Sequence, residues 1–191
     1  GDEHRIALLE LQPREFDGIE NPFQTISYCV EGQPAFFVRI ERSFADFCNE
    51  RFSSKTRRTL RKKRKELLEL GATFDFAETA EQGSAIYDTF LRQKRKRLAQ
   101  LGQKNPFASP RIEMLFRTLI GPARASGAIQ NSAIRVNGKT AATCSVVDFK
   151  GRLYLLQLSM ESGVADRLSP GLLLVEAHMV RHFDGASGVM D

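Results

Sequence analysis

The stretch AIQNSAIRVNGKTAATCSVVDFKGRLYLLQL, residues 128–158, consists of three apolar-rich segments separated by two short turns. The first turn is Asn137-Gly138, the strongest short-range signal for a two-residue hairpin, because both of its residues must adopt positive φ. Lys150-Gly151 forms the second turn. We therefore predict an antiparallel meander with strands over 128–136, 139–149 and 152–158. Both alternating positions of the last strand are apolar, so we expect it to be covered on both faces and to lie centrally in the sheet.

Two amphipathic helices precede the meander. Apolar residues recur every three or four positions from Ala80 to Leu101, and again after Ser109-Pro110, a serine cap followed by a first-turn proline. A short alternating strand, Ala72 to Ala77, comes before both helices. The residues expected to face the core are Ile86, Phe90, Leu91, Leu98 and Leu101 in the first helix, and Ile112, Leu115, Phe116, Leu119 and Ile120 in the second.

A further helix follows the meander and opens at Ser169-Pro170-Gly171, and the segment from Gly188 to Asp191 looks like the start of one more strand. We expect the apolar side of that helix to carry Leu172, Val175, Met179 and Phe183. From residue 72 onward the order is strand, helix, helix, three strands, helix, strand. This order predicts an α+β fold in which a mixed, mostly antiparallel sheet is flanked by helices.

The N-terminal part of the chain has a different character. Residues 1–51 contain short apolar runs at 5–11 and 35–40, which predict strands, and a short helix from Ser43 to Arg51. Ser53 then begins a helix that ends before Gly71 and exposes mostly charged side chains. Eight of the residues from Lys55 to Lys65 are Lys or Arg.

This basic helix makes an anionic partner expected, because eight neighbouring cations repel one another and the chain carries a net charge of +5. Three interpretations stay open: a solvated face, a nucleic-acid site, and contact with an anionic substrate, a lipid surface or a CoA phosphate. No Phe or Tyr lies between Lys55 and Leu70 and the chain has no Trp, which argues against recognition of single strands by stacking. A second cluster, Arg92 to Arg97, adds to the positive field.

The composition excludes several classes of protein. Hydrophobic residues make up 42% and charged residues 27% of the chain, which is typical of a globular domain. No run approaches the roughly 20 apolar residues of a membrane helix. Three scattered cysteines without a C-x-x-C pair predict a reduced, cytoplasmic protein with no structural metal. The chain has no zincin, P-loop or Ser-His-Asp hydrolase motif.

Four segments together carry a resemblance to a known family. They are 52–67 (FSSKTRRTLRKKRKEL), 105–108 (NPFA), 138–142 (GKTAA) and 168–174 (LSPGLLL). In order and spacing they resemble the GNAT (acyl-CoA N-acyltransferase) superfamily, and in particular its CelD-like acetyltransferase branch, named for cellulose and exopolysaccharide gene clusters. That branch is itself similar to the Fem-type aminoacyl transferases, which pair two GNAT folds.

The resemblance implies that residues 52–191 are a GNAT-like acyltransferase domain lacking its C-terminal end, and that residues 1–51 are the tail of a preceding half-domain. It also implies direct transfer of an acyl group, with acetyl as the expected one, from acyl-CoA to an amine of an amino sugar or another cell-envelope or exopolysaccharide precursor. An aminoacyl-tRNA donor is the alternative within the same family, since a positive surface suits tRNA. The alternative from another class is a non-catalytic module that binds nucleic acid or another polyanion.

The resemblance further implies where the acyl-CoA lies. Free N–H groups and the helix dipole make the helix start at Ser169-Pro170-Gly171 suitable for a diphosphate, and Gly171 removes a Cβ where a phosphate must approach. Carried over by position, Gln157, Leu158 and Ser159 line the pantetheine arm, and Arg167, Leu168, Ser169, Gly171 and Leu172 surround the diphosphate. The plainer interpretation is that Ser169-Pro170 is an ordinary cap with a first-turn proline.

The groups that would handle a proton are less marked. By their location, Tyr154 and Asp148 are the candidate catalytic residues, followed by Asp166 and Asp191. We expect His178 to be a packed or surface histidine, and His182 has no evident partner. We expect Cys144 to be a small buried hydrophobe.

Overall fold

The computed structural model describes residues 15–16, 18–22, 43–121, 127–163 and 165–184. The chain divides into two compact units, residues 1–39 and 40–191. In the first unit, the described residues form two short antiparallel strands, β1 (Glu15–Phe16) and β2 (Ile19–Glu20). The strands predicted at 5–11, 35–40 and from Gly188 lie outside the described residues. The half-domain interpretation of residues 1–51 stays a prediction.

The second unit is built on a four-stranded antiparallel sheet in the order β3-β4-β5-β6. Its strands are β3 (Ala72–Phe76), β4 (Ile129–Val136), β5 (Lys139–Phe149) and β6 (Arg152–Met160). Both predicted hairpin turns are confirmed. Asn137 and Gly138 have φ of 50° and 74°, and Lys150 and Gly151 have φ of 51° and 71°.

The predicted central position of β6 is wrong for the described sheet, where β6 is an edge strand. Leu155 and Leu156 of this strand are 51% and 44% exposed, so its two faces are not both covered. The apolar run of β6 is compatible with a central position. An apolar sequence predicts that side chains are buried, but it does not identify the neighbouring strand or helix that buries them. Among the described residues, the outer edge of β6 has no neighbouring strand.

Five α-helices of the described residues surround this sheet or pack on the helices that cover it. They are α1 (Phe44–Arg51), α2 (Ser54–Glu69), α3 (Ala80–Gln100), α4 (Pro110–Leu119) and α5 (Pro170–Phe183). The first two are capped as the sequence predicts: Ser43 accepts from the amide of Asp46, and Ser53 accepts from the amide of Thr56. Gly71, with φ of +75°, ends α2 in the left-handed conformation that glycine tolerates.

The sheet has two covered faces. On the α5 face, Leu67 of α2 and Leu173 and Leu174 of α5 pack on Ile134 and Cys144. On the α3 face, a second cluster joins α3 to the start of β4; its members are Tyr87, Phe90, Leu91, Ile120 and Ile129. The architecture is therefore α+β, with helices on both sides of an antiparallel sheet, as predicted.

Two predicted apolar faces need correction. The core side of α5 is Leu173, Leu174, Ala177 and His178, whereas Leu172 is 51% exposed. The helix starts with an almost continuous apolar run, so several stripes fit the periodicity and only packing selects one. In α4, the predicted face is covered only at Phe116 and Ile120. The remaining members, Ile112, Leu115 and Leu119, are exposed.

Candidate functional site

The connection from β6 to α5 has an unusual backbone. A 3-10 turn at Asp166–Leu168 leads to Ser169, whose φ of 55° and ψ of 55° lie in the left-handed region that a residue with a Cβ seldom occupies. Pro170 at the first helical position has no N–H to offer. Ser169 makes no side-chain capping hydrogen bond to α5, so its hydroxyl does not close the first turn of the helix.

The hydroxyl of Ser169 instead contacts the basic helix. Lys63 of α2 donates a hydrogen bond from Nζ to Ser169 Oγ over 2.8 Å. Nearby, the mostly exposed guanidinium of Arg167 is 3.6 Å from the carboxylate of Glu66, also on α2. One turn of α2 is thus held against the start of α5. The ammonium of Lys63 adds a full positive charge to the positive end of the α5 dipole.

Gly171 lies where the first turn of α5 packs on the sheet. A Cβ at this position would lie 2.8 Å from Met160 Sδ and 3.3 Å from Leu158 Cδ2, both on β6. The missing side chain therefore faces the strand, whereas the sequence interpretation assigned its absence to the approach of a phosphate. The glycine brings the first turn of α5 close to the end of β6.

The outer edge of β6 is irregular beside this junction. Gln157 pairs with Ser145 and Leu155 pairs with Val146, so Leu156 has no partner on β5 and forms a bulge. Bulges bend a strand and redirect its groups, and they are frequent next to active sites. The apolar side chains around this edge are 44% to 51% exposed; they are Leu155, Leu156, Met160 and Leu172.

The residues predicted to bind acyl-CoA lie on two different faces of the sheet. Leu168 and Gly171 are buried, and Leu172 is exposed. Leu158 lies on the α5 face, where it approaches Gly171. Gln157 and Ser159, its neighbours along β6, alternate to the α3 face and are both buried. A ligand lying along the edge of β6 could therefore contact the backbone of all three residues, but not all three side chains.

The two candidate catalytic residues do not lie together. Tyr154 pairs with Val147, and its hydroxyl is buried with no hydrogen-bond partner among the described residues. Asp148 lies near the turn between β5 and β6, and its carboxylate is 2.9 Å from Nδ1 of His182. His182 belongs to the last turn of α5, so Asp148 is held at the opposite end of that helix from Ser169.

His178 is a packed residue, as expected. Its ring lies 2.6 Å from Ser132 Oγ through Nε2 and packs edge-on against Phe76. Burial, with a smaller contribution from the charge of Arg181, lowers the pKa of His178 to about 3. Burial likewise raises the pKa of the Cys144 thiol to about 12, in agreement with its interpretation as a buried hydrophobe. Neither side chain is placed to exchange protons with a ligand.

Some features of the site were not recognisable beforehand. Lys63 was one of eight basic residues, and only the docking of α2 on α5 distinguishes it. Asn131 and Ser145, which form a buried hydrogen-bonded pair on the α3 face, carried no motif. A groove of about 520 Å³ lies along β3, between Phe74, Phe76, Gln82 and Arg135, at the opposite edge of the sheet from β6.

Within the described ranges, no three His, Cys, Asp or Glu side chains come close enough together to hold a metal ion. None of the described helices has both the length and the apolar character needed to cross a bilayer.

Comparison with known families matches residues 54–186 to the acetyltransferase (GNAT) domain. The match begins at the first residue of α2 and extends past the end of α5, so it includes the basic helix, the whole sheet from β3 to β6 and the Ser169–Gly171 junction. No curated protein matches the chain. Since the matched region covers most of the chain and contains the entire site described above, the chain belongs to the acetyltransferase (GNAT) domain family.

Proposed function

We propose that this GNAT domain transfers an acyl group, acetyl in the simplest case, from acyl-CoA to a primary amine by direct transfer. The observation that carries the proposal is the start of α5, which lacks a side-chain cap, stands beside the open edge of β6 and has the ammonium of Lys63 next to it. Membership of the family implies acyl-CoA as the co-substrate.

The diphosphate of CoA would lie on the first turn of α5. Free N–H groups and the dipole favour an anion there, and Lys63 adds a cation. The hydrogen bond between Lys63 and Ser169 places the lysine ammonium at the start of α5, although the lysine belongs to α2. The residues assigned to the diphosphate are Arg167, Leu168, Ser169, Gly171 and Leu172, together with Lys63.

The pantetheine arm would run along the outer edge of β6, past Gln157, Leu158 and Ser159. An edge strand presents unpaired N–H and C=O groups, which suit the two amides of pantetheine. The exposed apolar side chains of Leu155, Leu156 and Met160 would cover its aliphatic carbons. The bulge at Leu156 is the natural place for an N–H group that stabilises the thioester oxygen during attack.

In the transfer, the lone pair of a neutral amine forms a bond to the thioester carbon and the carbon–sulfur bond breaks. The proton lost from nitrogen ends on the sulfur of CoA, giving an amide and free CoA. Tyr154 and Asp148 stay the candidate residues for this proton. Tyr154 is the better candidate for handling the proton, because its buried hydroxyl has no hydrogen-bond partner among the described residues, whereas the carboxylate of Asp148 is paired with His182.

For the acceptor we propose an amino sugar of a cell-envelope or exopolysaccharide precursor, as in the CelD-like branch that the sequence resembles. A Fem-like use of aminoacyl-tRNA is the second candidate, and the exposed cations of α2 favour it. In the rest of the basic run, Lys62 and Lys65 are exposed and, among the described residues, pair only with acidic residues of the same helix. Arg64 is partly buried against Glu176.

Isothermal titration with acetyl-CoA, CoA, dephospho-CoA and pantetheine tests the proposal. We expect acetyl-CoA and CoA to bind and pantetheine to bind much more weakly, because it lacks the diphosphate. The absence of any binding of CoA esters, combined with polyanion binding that falls steeply with salt, would instead support a non-catalytic module.

A further inference from the structure

Polar side chains are concentrated on the α3 face of the sheet, although this face is covered by a helix. The buried members are Gln93, Asn131, Thr143, Ser145, Gln157 and Ser159. Buried polar groups are costly unless they are hydrogen-bonded, so each requires a partner. Most have one: Gln93 bridges to the carbonyl of Thr140 and to the hydroxyl of Thr143.

The hydrogen bonds at the centre of this layer have a fixed direction. Asn131 Nδ2 donates to the carbonyl oxygen of Gly83, which can only accept, over 2.9 Å. Asn131 Oδ1 is therefore the accepting end of the amide, and Ser145 Oγ donates to it over 2.6 Å. A hydroxyl has one proton, so Ser145 has no second proton to offer and can only accept from a further neighbour.

Gln157 is that neighbour, and one end of its amide has no partner. The residue is only 6% exposed, and its Oε1 is 3.5 Å from Ser145 Oγ. Its Nε2 has no hydrogen-bond partner among the described residues. Because Ser145 Oγ can only accept a hydrogen bond from Gln157, we assign the side-chain amide of Gln157 the orientation rotated by 180°. In that orientation Nε2 donates to Ser145 and Oε1 is the end without a partner.

The free end lies on the α3 face of the sheet, where it is buried beside α3. The start of α5, where the diphosphate is proposed to bind, packs on the α5 face through Gly171, Leu158 and Met160. An acyl-CoA that begins on that face and passes over the edge of β6 would present its thioester towards the α3 face. Gln157 is the residue immediately after the bulge at Leu156, and its side chain points to the α3 face.

We propose that Gln157 is a positioning residue for the acceptor: its side-chain carbonyl oxygen accepts a hydrogen bond from the attacking amine. This inference rests on the proposed acyl transfer and adds the binding side and the binding group of the second substrate. An amide oxygen cannot take up the proton at neutral pH, so Gln157 orients an N–H bond while the nitrogen lone pair attacks the thioester carbon. The acceptor is thereby a primary amine that reaches the site from the α3 face.

The test compares Gln157→Met with Ser145→Ala. Methionine has nearly the shape of glutamine and removes the unpartnered amide, so Gln157→Met should keep or raise the melting temperature. Ser145→Ala leaves Asn131 Oδ1 without its donor, so it should lower the melting temperature. Activity is measured as thiol release at saturating acetyl-CoA with D-glucosamine, glycine and putrescine as amines. For the best amine, kcat/KM should fall roughly five- to tenfold in Gln157→Met, the range for one lost hydrogen bond. The dissociation constant of acetyl-CoA should change less than kcat/KM, since the pantetheine arm is proposed to contact the backbone of Gln157 and not its side chain.

A conservative variant separates the acceptor role from a packing role. Gln157→Glu retains an oxygen that accepts, so it should regain part of the rate lost in Gln157→Met and add a new ionisation to the pH profile. The inference is overturned if Gln157→Met lowers the melting temperature as Ser145→Ala does, since the amide would then be satisfied inside the protein, for example by a buried water. It is also overturned if acetyl-CoA binding weakens while the kinetics of the amine do not change. If no amine is acylated although acetyl-CoA binds, the acceptor assignment fails and the donor site stands; if acetyl-CoA itself does not bind, the proposed function fails.

Discussion

The ammonium of Lys63 donates a hydrogen bond to the hydroxyl of Ser169, 2.8 Å away and 106 positions later in the chain. This contact joins two sequence features that appear unrelated, a run of basic residues and a Ser-Pro-Gly helix start. Their meeting places a cation at the positive end of a helix, an arrangement that repels other cations and favours an anion. Both features lie within the region matched by the acetyltransferase (GNAT) domain.

Lys63 should therefore contribute to the binding of CoA, and a neighbouring lysine should not. We expect Lys63→Met to weaken the binding of CoA by about tenfold, the effect of losing one charge-assisted hydrogen bond, and to reduce the salt dependence of binding. Lys62→Met is the matched control, because Lys62 is 77% exposed and pairs only with Glu66, 3.7 Å away. Titration calorimetry at two salt concentrations measures both effects. Equal losses in the two variants would show that only the general charge of α2 matters.

Gly171 should tolerate alanine at little cost in stability. In Gly171→Ala the new Cβ would approach Met160 Sδ within 2.8 Å, so α5 or Met160 must move. Met160 is 46% exposed and its sulfur is the flexible end of the side chain, so it can rotate away, and alanine is favoured over glycine in a helix. We therefore expect the free energy of unfolding to change by less than about 1 kcal/mol. Met160→Ala removes the obstructing side chain, and the double variant should lose less than the sum of the two single changes. Additive losses in urea unfolding would contradict the contact.

The burial of His178 should make stability fall in weak acid. The folded state keeps this ring neutral down to a pKa of about 3, whereas the unfolded chain takes up a proton near the ordinary value of 6.5. A lowered histidine pKa therefore reduces the free energy of unfolding as the pH falls below 6.5, by up to about 1.4 kcal/mol per pH unit. His178→Gln should show a flatter slope between pH 6.5 and 5 in denaturant titrations, a window above most carboxylate ionisations. An unchanged slope would mean that His178 is protonated in the folded state.

The ion pair between Arg64 and Glu176 should be important for the docking of α2 on α5. Their side chains are only 17% and 16% exposed and 2.7 Å apart. Arg64→Met leaves the Glu176 carboxylate buried without its cation, and we expect a loss of about 3 kcal/mol of stability. Replacing both residues, in Arg64→Met with Glu176→Leu, should restore most of that loss because no charge is left buried. A double variant as unstable as the single one, measured by urea unfolding, would contradict this.

Local patterns were sufficient to predict the elements of the second unit and the class of its fold. Asn137-Gly138 and Gly151 mark the two turns because such turns require positive φ, which Asn and Gly tolerate. Ser43, Ser53 and Gly71 mark helix ends because caps are local hydrogen bonds or local backbone conformations. The order of these elements, with the segments that resemble the GNAT superfamily, was enough to predict the family.

The sequence by itself thus determined which segments are helices and strands, where they turn, and that the region belongs to an acyltransferase family. Only the tertiary structure decided that β6 is an edge strand among the described residues, that α5 buries Leu173 and Leu174 instead of Leu172, and that Lys63 is the lysine beside Ser169. Backbone conformation depends on near neighbours along the chain, and these are visible in the sequence. The side of a helix that is buried, and the partner that a polar group finds, depend on residues far apart in the chain, and they become defined only when the layers pack.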